Sequence, residues 1–334
     1  MISPPIAAWP GLDSLTAQPL QDGLINDTFA VGSPPVAVVQ RLHPVFAPEV
    51  NIDIDAITAH LCAQGLLTPR LLHTRAGERW HIDEEGRPWR ALSWVPGRTV
   101  HRIEGPAMAR EAGAFVARWH TALGGLDHEF AFSRPGAHDT AKHMSLLSEA
   151  VKDHPDHRLA GRVRPLAEAI LSDWDSWSGT LDGPTTITHG DLKISNIRFN
   201  DDGKALCLLD LDTMGRLSLD VELGDAWRSW CNPKGEDTTE PVFDLDVFTA
   251  SAQGYLSERD LPREVRDALP AGIERICLEL AARFAADALH ERYFGWNSAL
   301  APNRGEHNLL RATGQLKLAR IVRLQLKLLI SRLS

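Results

Sequence analysis

The chain has 334 residues, more than one hydrophobic core usually serves, and its 43% hydrophobic and 24% charged residues are those of an ordinary folded globule. Its formal net charge of −9, with no long basic run, argues against nucleic acid as the main partner, because phosphate-backbone binding needs clustered Lys and Arg. Four widely spaced cysteines (Cys62, Cys207, Cys231, Cys277) form no C-x-x-C pair; with no basic leader and no apolar run of bilayer length, they point to reduced thiols in a cytoplasmic protein that has no membrane partner.

Up to about Pro96 the pattern is one of strands and turns. Thr28 to Val31 and Val36 to Leu42 are apolar and rich in β-branched residues, and Gly32-Ser33-Pro34-Pro35 between them reads as a hairpin turn. Val50, Ile54, Ile57 and Leu61 then recur at helical spacing, with Gly65 as a stop. A second hairpin is expected from Trp80-His81-Ile82 to Trp89 through Ser93, turning at Glu84-Glu85-Gly86. After Gly97 the pattern becomes helical. Pro106 opens a helix with the stripe Met108, Ala112, Phe115 and Trp119, closed by Gly124-Gly125. Residues 140 to 178 read as helix, interrupted at His154-Pro155-Asp156-His157, and 185 to 213 as an island of β structure. From about 221 onward the chain is helical, ending in an amphipathic stretch in which Leu316, Ile321, Leu324 and Leu328 are expected to face the core. The acidic stretch Gly235-Glu236-Asp237 with Glu240 could contribute to an acidic pocket for a cationic acceptor, but reads rather as a solvated loop. The expected fold class is α+β, a two-lobed protein-kinase-like fold. Residues 1–96 would form a small β-rich nucleotide-binding lobe, and 97–334 a larger, mostly helical lobe that carries catalysis and substrate.

The β island holds the most specific signal. His189-Gly190-Asp191-Leu192-Lys193-Ile194-Ser195-Asn196 has the form H-x-D-x-x-x-x-N, and the apolar run Leu208-Leu209 ends in Asp210 and Asp212. Phosphoryl transfer from ATP needs a carboxylate for the attacking hydroxyl, and a carboxamide and a second carboxylate for Mg²⁺. Asp191 is the candidate base, and Asn196 and Asp210 are the candidate Mg²⁺ ligands, hard oxygen donors as that ion requires. In an extended strand Asp212 would point the same way as Asp210, so it either completes the metal site or is structural. Lys193 lies where an ammonium could neutralise the transferred phosphoryl group, and His189 reads as a histidine that pins the loop.

Upstream, the strand Val36 to Arg41 holds no lysine, which leaves Arg41 as the cation for the ATP phosphates. Asp53 or Asp55 on the next helix would hold it, with Asp53 preferred. Gly23 to Thr28, including Asn26 and Thr28, is the candidate nucleotide loop, although one glycine is a weak phosphate cradle. Trp94 and Val95 fall where backbone groups could read the adenine edge.

These residues resemble the aminoglycoside phosphotransferase and choline kinase superfamily, and within it the N-acetylhexosamine 1-kinases. The similarity runs through Gly23 to Phe29, Gln40-Arg41, Val45-Phe46, Gly136 to Thr140, His189 to Asn196, Leu209 to Thr213 and Gly224 to Arg228. It continues through Arg283-Phe284, Asp287, Tyr293-Phe294, His307-Asn308-Leu309 and Gln315 to Leu318. The resemblance implies ATP and Mg²⁺ as cofactors, and a small-molecule hydroxyl as acceptor: the anomeric hydroxyl of an N-acetylhexosamine. It puts Arg283 and Tyr293 near the sugar, with His138 and Asp139 as further wall residues. Gly190 departs from the family pattern, which has Asn or Cys there, and the stretch from Asp287 to Tyr293 is shorter; both border the acceptor pocket. The alternatives are an amino alcohol or aminoglycoside as acceptor, or a non-catalytic nucleotide-binding pseudokinase, against which the set Asp191, Asn196 and Asp210 argues. No A-P-E-like element follows Asp212, which argues against a protein kinase.

Overall fold

The computed structural model describes residues 2–20, 25–134, 136–181 and 183–333. In chain order its strands are β1 (Ala17–Pro19), β2 (Asp27–Val31), β3 (Ala37–Arg41), β4 (Leu71–Leu72), β5 (His81–Ile82), β6 (Pro88–Ser93), β7 (Arg98–Thr99), β8 (Thr185–Thr188), β9 (Ile197–Phe199), β10 (Ala205–Leu208) and β11 (Gly215–Ser218). Its helices are α1 (Val50–Ala63), α2 (Pro106–Leu123), α3 (Thr140–Asp153), α4 (Ala160–Asp175), α5 (Leu219–Trp230), α6 (Leu245–Glu258), α7 (Arg263–His290) and α8 (Arg304–Arg332). The expected α+β class, with an N-terminal sheet and a larger helical part, is what the chain adopts. Its two compact units are discontinuous in sequence. One comprises residues 1–99, 119–133 and 196–215; the other comprises 100–118, 134–195 and 216–334.

In the first unit an antiparallel sheet runs in the order β1-β2-β3-β6-β4, with β5 also paired to β6. Side chains alternate across a strand, so register decides what shares a face. Phe29, Val31, Ala37, Val39, Trp89 and Ala91 share one face and are buried with Trp9 and Leu12. The other face carries Thr28, Gln40 and Arg90, directly opposite one another on β2, β3 and β6. A second sheet, β10-β9-β7, brings the hairpin after the catalytic motif into the same unit.

The second unit is helical apart from the β8–β11 pair, with α7 packed on α8, α5, α3 and α4. Helices α5 and α7 cross at glycines: a Cβ on Gly224 would lie 2.6 Å from the Gly272 carbonyl, so no other residue fits without moving backbone. The C-terminal helix forms as expected, but its buried stripe is Gln315, Leu318, Ala319, Val322 and Leu329. Leu324 is 87% exposed and Leu328 40% exposed, so two of the four residues expected in the core face outward, while Leu316 is buried as expected. The sequence holds apolar residues on more than one face of α8, and contact with α7 selects among them. Among the described residues no helix is long and apolar enough to cross a membrane. Cys207, Cys231 and Cys277 are buried thiols and Cys62 is exposed.

Candidate active site

In the first unit Asn196 and Asp210 stand at the same end of one hairpin. The Leu209 N–H donates to the Asn196 carbonyl at 2.8 Å, which carries the β9–β10 pairing one step past the strands. Asp210 then takes the left-handed conformation (φ 58°, ψ 60°), and Leu211–Thr213 forms a 3₁₀ turn. Asp212 is therefore not two strand positions beyond Asp210. It turns into the interior, where Arg90 donates to both of its oxygens, one of them at 2.8 Å, and the Asn26 amide donates to it at 2.8 Å. Both oxygens are committed to protein donors, which favours the structural role for Asp212 over the metal.

Those bonds belong to a closed circuit. The Arg90 Nε donates to Gln40 at 2.9 Å, Gln40 to the Thr28 hydroxyl at 3.1 Å, and Thr28 to the Asn26 carbonyl at 3.2 Å. Asn26 also accepts from the His43 N–H at 2.9 Å. Arg90 and Asp212 are each 1% exposed, and a buried charge pair of this kind is tolerated only when its hydrogen bonds are satisfied. Arg90 carries no local mark in the sequence, because nothing near it shows that β6 pairs with β3. The signal lies in the register, which sets Arg90 of β6 beside Gln40.

Arg41, the expected phosphate cation, alternates to the opposite face. There it pairs with Asp27 at 2.8 Å and packs over the Trp89 ring. The expected Arg41–Asp53 pair does not form. Asp53, 2% exposed, accepts from the N–H groups of Ala131 and Phe132 at 2.8 and 2.9 Å and contacts His128 at 2.8 Å, tying α1 to the segment after α2. Asp55 instead joins Arg70, His73 and Arg79. At the expected adenine edge, the Trp94 N–H donates to Val36 at 3.0 Å and the Val95 carbonyl accepts from Arg198 at 3.3 Å, so both groups serve the protein's own structure. Gly23 and Leu24 lie outside the described residues.

The second unit holds the motif from His189 to Ser195. Glu222, 1% exposed on α5, accepts from the consecutive N–H groups of His189 and Gly190 at 2.7 and 2.9 Å. The His189 Nδ1 accepts from the Asp191 N–H at 3.3 Å, and Trp230 donates to the Leu192 carbonyl at 2.7 Å. Gly190 has φ 78°, the left-handed region that glycine enters at no steric cost and that Asn enters more readily than most residues. Lys193 donates to Asp191 at 2.9 Å. Burial opposes its charge, but the carboxylates of Asp191, Asp225 and Glu236 outweigh that and hold its pKa above the ordinary lysine value. Glu222 was missed as a loop support, because nothing within α5 marks which of its acids meets the loop backbone.

The acceptor candidates His138, Arg283 and Tyr293 form one connected group. His138 Nδ1 and the Thr140 hydroxyl bind the fully buried Glu279 at 3.1 and 2.7 Å. Arg283 Nη1 lies 3.8 Å from Glu279, and its guanidinium sits over the Phe294 ring at 5.5 Å. Tyr293 packs edge-on against Phe294 and is 58% exposed, so it is no core residue. Asp139 does not join them: it caps α3, accepting from the Lys142 N–H at 3.0 Å. The acidic stretch is an irregular segment with Gly235, Asp237 and Glu240 exposed, as a solvated loop should be, and its carboxylates pair with the helices beside it: Glu236 with Arg228, Asp237 with Arg311 and His307, and Glu240 with Lys317, on α5 and α8.

The APH family profile, described as the phosphotransferase enzyme family, matches residues 16–265, most of the chain. The chain belongs to this family. It is a phosphotransferase with a hydroxyl acceptor. A homoserine kinase of Methylobacterium nodulans is 27% identical to it over 275 residues, 81% of this chain and 78% of that protein. A microcompartment-associated aminopropanol kinase has a TM-score of 0.65 over 98% of this chain and 97% of its own, at 16% identity. An amicoumacin kinase, in complex with AMP-PNP, Ca²⁺ and Ami, has a TM-score of 0.59 over 87% of each chain, at 14% identity. At such identities the solved structures establish the fold, and the acceptor must be argued from the site.

Proposed function

We propose that this phosphotransferase uses ATP and Mg²⁺ to phosphorylate a neutral, polyhydroxylated small molecule, with the anomeric hydroxyl of an N-acetylhexosamine as the acceptor. Asp191 takes or orients the hydroxyl proton, and Lys193 balances charge beside it. Asn196 and Asp210 are the residues that would hold Mg²⁺, which when bound neutralises phosphate charge. The donor set fits that ion. Among the described residues no group of three or more His, Cys, Asp or Glu is arranged as a metal site, whereas one carboxylate and one carboxamide suit a cation that keeps waters and phosphate oxygens as its remaining ligands.

The observation that carries the acceptor reading is the Arg283 guanidinium over the Phe294 ring, beside the exposed Tyr293. A guanidinium beside exposed aromatic rings suits hydroxyls, an acetamide and the apolar face of a sugar. A second reading, an amino alcohol of the homoserine type, is supported by the homoserine kinase relative.

ATP consumption measured over N-acetylglucosamine, N-acetylgalactosamine, homoserine, choline and an aminoglycoside separates the two. The sugar reading expects turnover with N-acetylhexosamines and none with their methyl glycosides, whose anomeric oxygen is blocked. Turnover of homoserine alone moves the assignment to the second reading, and a methyl glycoside used as fast as the free sugar ends the 1-kinase assignment.

A further inference from the structure

Asp287, Tyr293-Phe294 and Asn308 lie beyond the family-matched residues 16–265, and of these only Tyr293 has so far been given a task. Asp287 lies in the last turn of α7 and is 4% exposed. Its Oδ1 accepts from the N–H groups of Arg292 and Tyr293 at 3.1 and 3.0 Å, and its Oδ2 from those of Tyr293 and Phe294 at 3.2 and 2.9 Å. The buried amide of Asn308, on α8, donates to the same Oδ2 at 2.8 Å. One carboxylate therefore gathers three consecutive backbone donors, and a side chain from a second helix holds it in place.

The turn so gathered is strained where it leaves the helix. Glu291 has φ 53° and ψ 39°, the left-handed region, which a non-glycine residue occupies only at a steric cost. Such a conformation persists only where the surroundings over-determine it. Here the Glu291 carbonyl accepts from Arg304 at 3.1 Å and its side chain from the Gly305 N–H at 3.0 Å, in addition to the Asp287 bonds. The turn sets Phe294 against Phe284 (4.4 Å between centroids) and under Arg283, and leaves Tyr293 and Trp296 exposed at 58% and 46%. A rigid root that carries exposed aromatic rings is the anatomy of a recognition element; fold stability would call for those rings to be buried.

We infer that Asp287, locked by Asn308, is a positioning residue for acceptor specificity: it sets the 291–294 turn, so that Arg283, Phe294 and Tyr293 present one rigid wall to the acceptor. The inference rests on the proposed acceptor wall and adds the device that fixes its shape. The acceptor used for the test is whichever of N-acetylglucosamine and homoserine the enzyme turns over. Asp287→Asn keeps the size but removes the charge. It should raise the acceptor KM about tenfold, while the KM for ATP and kcat stay within twofold and the melting temperature confirms a folded protein. Asn308→Ala, which removes one bond of the five, should raise the same KM severalfold, and it serves as the probe if Asp287→Asn does not fold. Arg283→Ala, measured alongside, separates the two levels. If it raises the acceptor KM while neither Asp287→Asn nor Asn308→Ala does, the positioning role is wrong and the wall stands. If none of the three raises it, the wall itself is wrong. Equal increases in the KM for acceptor and ATP would mark Asp287 as merely structural and also overturn the inference.

Discussion

The polar circuit on the sheet and the polar group at the end of α7 use similar chemistry to different ends. In the first, Arg90, Asp212, Gln40, Thr28 and Asn26 close a ring in which the charged pair is 1% exposed on both sides. In the second, burial falls off from Glu279 at 0% through the half-buried His138 and Arg283 to Tyr293 at 58%. A closed, buried ring holds one geometry and tolerates no missing member, because each lost partner strands a desolvated group. A graded chain has an open end, where water can replace a partner.

The largest effect should come from the His189–Asn196 loop proposed to be catalytic, which neither network contains. Asp191→Asn should leave folding and ATP affinity in place while kcat falls by roughly two to four orders of magnitude. A purified variant with near wild-type turnover would remove Asp191 as the base. Next comes the closed ring. Arg90→Met should cost about 3–5 kcal/mol in denaturant unfolding, since Asp212 is left buried and unpaired, and Arg90→Met combined with Asp212→Leu should recover much of that loss. If the single variant loses under about 1 kcal/mol, the ring is not the rigid element described here.

The smallest effect concerns the graded chain and pH. Burial opposes the charged form of His138, but the hydrogen bond and charge of Glu279 outweigh it and raise its pKa above the ordinary 6.5. Burial likewise opposes the ionised form of Glu279, but His138 and Arg283 hold its pKa below the ordinary 4.5. A raised histidine contributes stability that is fully present below about 6.5 and lost as pH rises through the folded value; a lowered glutamate contributes stability present above about 4.5 and lost in acid. The stability gap between wild type and His138→Gln should therefore be widest between about pH 5 and 6 and narrow toward pH 9. A gap that does not change across that range would mean the pair is not charged in the folded protein.

Much of the fold was legible because its signals are local. The β2–β3 hairpin, α1 with its Gly65 stop, the β5–β6 turn at Gly86, and the break between α3 and α4 all fall where turn residues and periodicity put them. The H-x-D-x-x-x-x-N motif was legible for the same reason, since loop chemistry is written in consecutive residues. What could not be read depends on partners far away in sequence. Arg41 has the right charge but the wrong face, and only the pairing of β3 with β6 brings Arg90 beside Gln40. Asp53 looked like a partner for a cation until the segment after α2 supplied two N–H groups to it.

The sequence by itself determined the reaction class and the residues proposed to carry it, because a base, a carboxamide and a carboxylate at fixed spacing on a strand–loop–strand leave few other chemistries. It also determined most element boundaries through Gly, Pro and hydrophobic period. Only the tertiary structure decided which charges pair: Arg90 with Asp212, Glu222 with the backbone of the catalytic loop, Asp287 with the turn that carries Tyr293. The reason is physical. A covalent neighbour sets backbone conformation within a few residues, whereas a buried charge is stabilised by whichever donors packing brings within about 3 Å, and packing is a property of the whole chain.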